Sequence, residues 1–160
     1  MKIGIVSDTH GNVANTERAV EILRQSDVSA VLHCGDICGV RIVDLFVEWP
    51  THFVTGNCDN AMMMQNAVET IEQTWHGMFG EIELGNRKIA LLHSHEPGRL
   101  AYAAESGDFD LVCYGHTHQR EQHKVGETLV LNPGAIHRAN PHTIAIVDLE
   151  TMTAEHIVID

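Results

Sequence analysis

The sequence is poor in cations: ten Lys and Arg stand against 22 Asp and Glu in 160 residues, a formal charge of −12. No basic stripe is available to release counterions from a phosphate backbone, which argues against general nucleic-acid binding. No apolar run approaches the roughly 20 residues that cross a bilayer. The run after Met1-Lys2 is too short for a secretory leader. The expectation is a cytoplasmic chain with no membrane partner. Cysteine is limited to Cys34, Cys38, Cys58 and Cys113. Cys34 and Cys38 straddle Asp36 as half of a zinc knuckle would, but no second pair sits at ligand spacing. A disulfide framework is not expected in a chain with 44% apolar residues; buried, reduced thiols are. There is no repeat, low-complexity segment or linker, and one domain over residues 1–160 is expected.

What the sequence does contain is one pattern written five times. Val31-Leu32-His33-Cys34 is an apolar run that stops at Gly35 and presents Asp36. Ile3-Gly4-Ile5-Val6-Ser7 leads to Asp8-Thr9-His10-Gly11, and His52-Phe53-Val54-Thr55 leads to Gly56-Asn57-Cys58-Asp59. Ile89-Ala90-Leu91-Leu92 ends in His93-Ser94-His95, and Leu111-Val112-Cys113-Tyr114 in Gly115-His116-Thr117-His118. In open α/β sheets, ligands gather at the carboxyl ends of strands, so five such endings point to one place.

A mixture of carboxylate, amide oxygen and imidazole suits divalent metals. Asp8, His10, Asp36, Asn57, His93, His116 and His118 are too many side chains for one ion and suit two, about 3.5–4 Å apart. Their mutual repulsion calls for a bridging anion, and Asp36, alone on its strand, is the candidate. The ligand mix accepts Mn, Ni, Fe, Co or Zn.

Elsewhere, helices are expected at about 14–25, 40–49, 60–68 and from Pro97-Gly98 to Ser106, with strands at 69–75, 79–84 and 88–92. Gly85-Asn86 between two strand-like runs is a hairpin signal. Met62-Met63-Met64 reads as a packing face, with an apolar patch for substrate or a second copy as the alternative. Past the last histidine pair, strands at 122–124, 128–131, 143–149 and 154–159 follow. Front-loaded βα units and trailing hairpins imply an α/β fold: a two-sheet β-sandwich core flanked by helices, α/β/β/α.

Taken in order, Asp8-x-His10, Gly35-Asp36, Gly56-Asn57-Cys58-Asp59, His93-x-His95 and Gly115-His116-Thr117-His118 resemble the calcineurin-like metallophosphoesterase superfamily. The short length and the Gly-Asn-Cys-Asp spelling are similar to its small bacterial and archaeal phosphodiesterase branch. The resemblance runs from Lys2 to about Val158. It implies one metal on Asp8, His10, Asp36 and His118 and another on Asp36, Asn57, His93 and His116, manganese foremost. It also implies hydrolysis of a small phosphodiester by a hydroxide generated between two ions, with a homodimer common in the branch. The superfamily commonly has His where this chain has Cys58. That departure disfavours monoesters and leaves His95 as the candidate proton donor, so the catalytic expectation rests on Asp36, Asn57, Cys58 and His95. Ala135 departs from the family's usual Ser, and Arg138 is the nearest cation to that turn. The competing class is a non-catalytic interaction scaffold, since the retromer subunit shares the fold with an altered metal set. Monoester hydrolysis and nuclease action stand further behind.

Overall fold

The computed structural model describes residues 1–160. Two mixed sheets carry the chain, and their composition follows from which faces must be covered. Strands β1 (Lys2–Val6), β2 (Ala30–His33), β3 (Thr51–Phe53) and β4 (Thr74–Trp75) run parallel. Antiparallel β10 (Thr143–Asp148) and β11 (Thr153–Val158) close the other side, giving the order β11-β10-β1-β2-β3-β4. The second sheet runs β5 (Phe79–Leu84), β6 (Arg87–Leu92), β7 (Leu111–Cys113), β9 (Thr128–Pro133) and β8 (Arg120–Val125).

Side chains alternate between the two faces of a strand, and in the central strands both faces are apolar because both are covered. Ile3, Ile5, Leu32, Ile89, Leu91, Leu111, Leu131 and Val147 meet between the sheets. Their neighbours Val6, Val31, Phe53 and Ile144 face the helices α1 (Val13–Gln25), α2 (Val40–Asp44) and α3 (Ala61–Thr70). Ala90, Leu92, Val112 and Val130 face α4 (Arg99–Glu105). The result is the expected helix–sheet–sheet–helix stack. At Gly85-Asn86 both residues have positive φ, +55° and +60°, which gives the β5–β6 hairpin the primed turn that matches strand twist.

Three expectations need correction. Residues 69–75 are not one strand: α3 continues to Thr70, with Val68 buried one turn after Met64, and only Thr74–Trp75 pair with β3. Tertiary burial at i,i+4 outweighs the β-branched composition there. The methionine face is a single residue, for Met64 is buried whereas Met62 is 75% exposed and Met63 49%. The second helix stops at Asp44; residues to Trp49 form turns that still bury Phe46. A zinc knuckle is ruled out by position, because Cys34 lies inside the inter-sheet core and Cys38 on the exposed loop beyond it.

His33, at the end of β2, is fully buried between Phe46 and Phe53. The Gly35 N–H donates to its Nδ1 at 3.2 Å, so its proton sits on Nε2 and reaches Thr9 Oγ1 at 3.2 Å. Thr9 in turn donates to the Ile37 carbonyl, lacing two loops together. Burial lowers the His33 pKa from 6.5 to about 3. The folded ring therefore refuses a proton that the unfolded chain accepts. Its contribution is intact above about pH 6.5 and is lost as pH falls toward about 3. In metal-stripped protein, the unfolding free energy from urea titration should fall over that window by about a few kcal/mol. His33→Gln should flatten the slope; an equal slope in the variant would assign the acid sensitivity elsewhere.

Candidate metal centre

The five expected strand endings meet. Asp8 and His10 follow β1, Asp36 follows β2, Asn57 follows β3, His93 follows β6, and His116 and His118 follow β7. All are carboxyl ends of parallel strands, contributed by both sheets. The loops are stitched by backbone bonds from Asp8 N–H to Gly35 O (3.1 Å), His10 N–H to Asp36 O (2.9 Å) and His137 N–H to Asp8 O (3.1 Å).

Asp36 is central. Its Oδ2 lies 3.5 Å from His10 Nε2 and 3.4 Å from His93 Nε2, one on either side, while Oδ1 accepts the Cys58 N–H at 2.9 Å. On one side, Asp8 Oδ1 is 3.1 Å from His118 Nε2 and 3.8 Å from His10 Nε2, and the two imidazole nitrogens are 3.3 Å apart. On the other, Asn57 Oδ1 is 3.1 Å from His93 Nε2 and 2.9 Å from His116 Nδ1. Such spacings suit edges of a coordination shell: with bonds of about 2.0–2.1 Å, adjacent ligands stand roughly 3 Å apart.

The ring orientations are set from behind. His93 donates Nδ1–H to the Cys34 carbonyl at 2.7 Å, and His118 donates Nδ1–H to the Arg138 carbonyl at 3.3 Å, leaving each Nε2 lone pair pointing inward. Asp8 is fully buried; its Oδ2 accepts from Ser7 Oγ (2.5 Å) and the His116 N–H (3.1 Å), yet its Oδ1 has no hydrogen-bond partner. A buried carboxylate oxygen without a donor is costly unless a cation satisfies it. The donor set thus fits divalent metal.

The electrostatics agree. Burial would raise the Asp36 pKa, but the His93 hydrogen bond and the Cys58 N–H outweigh it and hold the carboxyl well below its usual range. Burial pulls His93 down, but Asp36 prevails and raises it. Burial dominates at His10 and lowers its pKa below 6.5.

The backbone is strained here. Asp8, His10, Asp36, His116 and His118 all have positive φ, from +43° to +74°. Each such non-glycine residue costs on the order of 1–3 kcal/mol and persists where the surroundings enforce it, typically at functional sites. Two glycines are required by space: a Cβ on Gly115 would lie 2.0 Å from Ser7 Oγ, and one on Gly56 2.0 Å from Asp36 Oδ1.

Around this cluster, His95 stands with its ring 5.4 Å from His93 and 6.4 Å from His116, its buried Nδ1 without a partner. Burial, then His93, lowers its pKa. The Cys58 thiol accepts from Asn57 Nδ2 at 3.4 Å, and burial followed by Asp36 raises its pKa. Arg138 is exposed, and it is its carbonyl that touches the cluster. Sequence reasoning assigned no role to Asp59. Its Oδ1 accepts the Cys38 N–H and its Oδ2 the Gly56 N–H, both at 2.8 Å, so it clamps the Asp36 loop to the Asn57 loop. Only its place in the Gly-Asn-Cys-Asp motif marked it.

A family model for the calcineurin-like phosphoesterase superfamily domain matches residues 1–152. The chain belongs to that superfamily. Within it, the small phosphodiesterase branch is indicated by Phosphodiesterase MJ0936 of Methanocaldococcus jannaschii, 32% identical with both chains covered in full. Phosphodiesterase YfcE of Escherichia coli is 25% identical, over 96% of this chain and 90% of that one. A solved structure described as a novel archaeal phosphodiesterase superposes with a TM-score of 0.91 at 33% identity, covering 99% of each chain. The family is metal-dependent, in keeping with the donor set. No helix of this phosphoesterase is long and apolar enough to cross a membrane.

Proposed function

We propose that this phosphoesterase, acting as one domain, hydrolyses small phosphate diesters at a two-ion centre. The observation that carries the reading is Asp36 Oδ2, placed between His10 Nε2 and His93 Nε2 with a separate set of donors beyond each. Asp8, His10, Asp36 and His118 would hold one ion, and Asp36, Asn57, His93 and His116 the other; manganese is the first candidate, with Ni, Fe, Co or Zn as alternatives. When bound, such ions supply Lewis acidity toward a phosphoryl oxygen and make a water nucleophilic near neutral pH.

The chain's own residues do the rest. The Asp36 carboxylate, held below its usual pKa range, offsets cationic charge, and the carbonyls of Cys34 and Arg138 keep the imidazole lone pairs aimed. The Cys58 N–H holds Asp36 in place through Oδ1. His95, with an unpartnered nitrogen at the rim, is the group to contact the leaving oxygen, as donor once protonated. The Cys58 thiol, its pKa raised, offers no comparable acid, which favours diesters with good leaving groups.

The test is turnover of an activated aryl phosphodiester by metal-stripped protein with and without Mn²⁺, beside the matching monoester and the Cys58→His variant. Strong metal-dependent diester turnover is expected, with little on the monoester, and Cys58→His should shift the ratio toward the monoester. An unchanged ratio would remove the role given to Cys58. Absence of turnover with Mn, Ni, Co and Zn would favour the interaction scaffold instead.

A further inference from the structure

Two thiols stand at the mouth of the centre. Against the expectation of buried thiols, Cys38 and Cys58 are both free and exposed. With a nitrogen of His10 they form a group whose ligating atoms all lie within 4.8 Å of one another. Cys38 Sγ lies 3.7 Å from His10 Nδ1 and 3.7 Å from the Cys58 carbonyl. The approach is built in: Cys38 has φ +57°, a left-handed conformation unusual outside glycine, and its N–H is anchored on the Asp59 carboxylate, one residue past Cys58. The other two cysteines, Cys34 and Cys113, are buried in the core.

We propose that Cys38 and Cys58 are a reversible oxidation site that switches the phosphodiesterase centre off; the regulatory part rests on the function proposed above. The co-reactant is a peroxide. Burial, with Asp36 and Asp59 beside them, holds both thiols above the ordinary cysteine range, so attack on hydrogen peroxide runs through a small thiolate fraction; it breaks the O–O bond, giving a sulfenic acid and one water. The second sulfur then displaces the sulfenic oxygen as a second water, so two thiols and one peroxide yield one disulfide and two waters. Two equivalents of a small thiol restore the pair by two successive exchanges, leaving as their own disulfide.

The consequence follows from what each cysteine is attached to. The two sulfurs, within 4.8 Å of one another, must come to about 2.05 Å in a disulfide, a closure that pulls on both loops. Cys58 carries the N–H that holds Asp36 Oδ1 and follows Asn57; Cys38 is two residues past Asp36 and touches the outer nitrogen of His10. Closing the bond therefore displaces Asp36, Asn57 and His10 together. Displacement of a positioned group by about 1 Å can cost on the order of 100-fold in rate.

The experiment treats the Mn²⁺-loaded protein and its Cys38→Ser variant with equimolar hydrogen peroxide. Mass spectrometry of alkylated digests, turnover of the aryl diester and retained metal are then measured, before and after dithiothreitol. The expected result is a Cys38–Cys58 linked peptide pair and turnover down on the order of 100-fold. Both should reverse with dithiothreitol, and Cys38→Ser should keep its rate. Sulfinic acid without a link, a link with unchanged turnover and metal content, or equal inactivation of Cys38→Ser would each overturn the proposal. The link and the metal content are read independently of turnover. Failure of the hydrolytic reading, seen as no turnover in reduced protein, is therefore distinguishable from failure of the switch.

Discussion

Asp36→Asn is expected to abolish diester turnover and to release metal from both halves of the centre. The replaced oxygen is the one atom placed against a nitrogen on each side, His10 at 3.5 Å and His93 at 3.4 Å. The new amide could still accept the Cys58 N–H, so the loop should keep its course. With its single oxygen so placed, the amide would present its NH₂ group to the two imidazole nitrogens. If Asp36 bridges the two proposed ions, a neutral group there would leave two dications without the anion that offsets their repulsion. The loss of affinity should exceed the roughly 10–100-fold that follows removal of an outer hydrogen-bond partner. Metal content after dialysis, with circular dichroism as a check on folding, decides the matter. Retained metal with lost turnover would restrict Asp36 to the chemical step; retained metal and turnover would sink the assignment.

Gly56→Ala should be nearly as damaging, for a reason of space alone. The added methyl carbon would lie 2.0 Å from Asp36 Oδ1 and 2.2 Å from the Asp36 backbone nitrogen. A flexible side chain could swing away, but the backbone nitrogen cannot, so the Asn57 loop must back off from the Asp36 loop. That motion would strain the Cys58 N–H contact and the Asp59 clamp on both loops. Overpacking of this kind typically costs about 1–3 kcal/mol of stability. Turnover should fall further than stability does, because the two loops carry Asp36 and Asn57. Urea unfolding together with metal affinity checks this. Full activity at wild-type stability would mean that the loops have slack the packing does not show.

Much of the fold is visible in the chain because the central strands of both sheets are covered on both faces. Runs such as Ile89-Ala90-Leu91-Leu92 are apolar at every position, a pattern that only a doubly buried strand requires. The hairpin at Gly85-Asn86 is visible for the same local reason, since few residues accept positive φ twice in succession. Residues 69–75 were not legible, because whether Val68 continues a helix depends on what lies under it. The methionine triplet was misleading for a related reason: three consecutive helical positions point in three directions, and only Met64 points inward.

The centre divides the same way. Which side chains would be brought together was readable, because a strand ending in a polar, metal-compatible residue is a local statement made five times over. Chain order also decided the family. Tertiary structure alone decided the rest. It put Asp36 between two sets of donors, left Asp8 Oδ1 buried without a partner, aimed the imidazoles through the carbonyls of Cys34 and Arg138, and brought Cys38 to Cys58. These are contacts between residues 20 to 100 or so positions apart, made by loops in strained backbone conformations that no local propensity favours. Sequence periodicity reports which face of an element is buried. It carries no information on how far one loop stands from another, and that distance is what makes a set of ligands into a site.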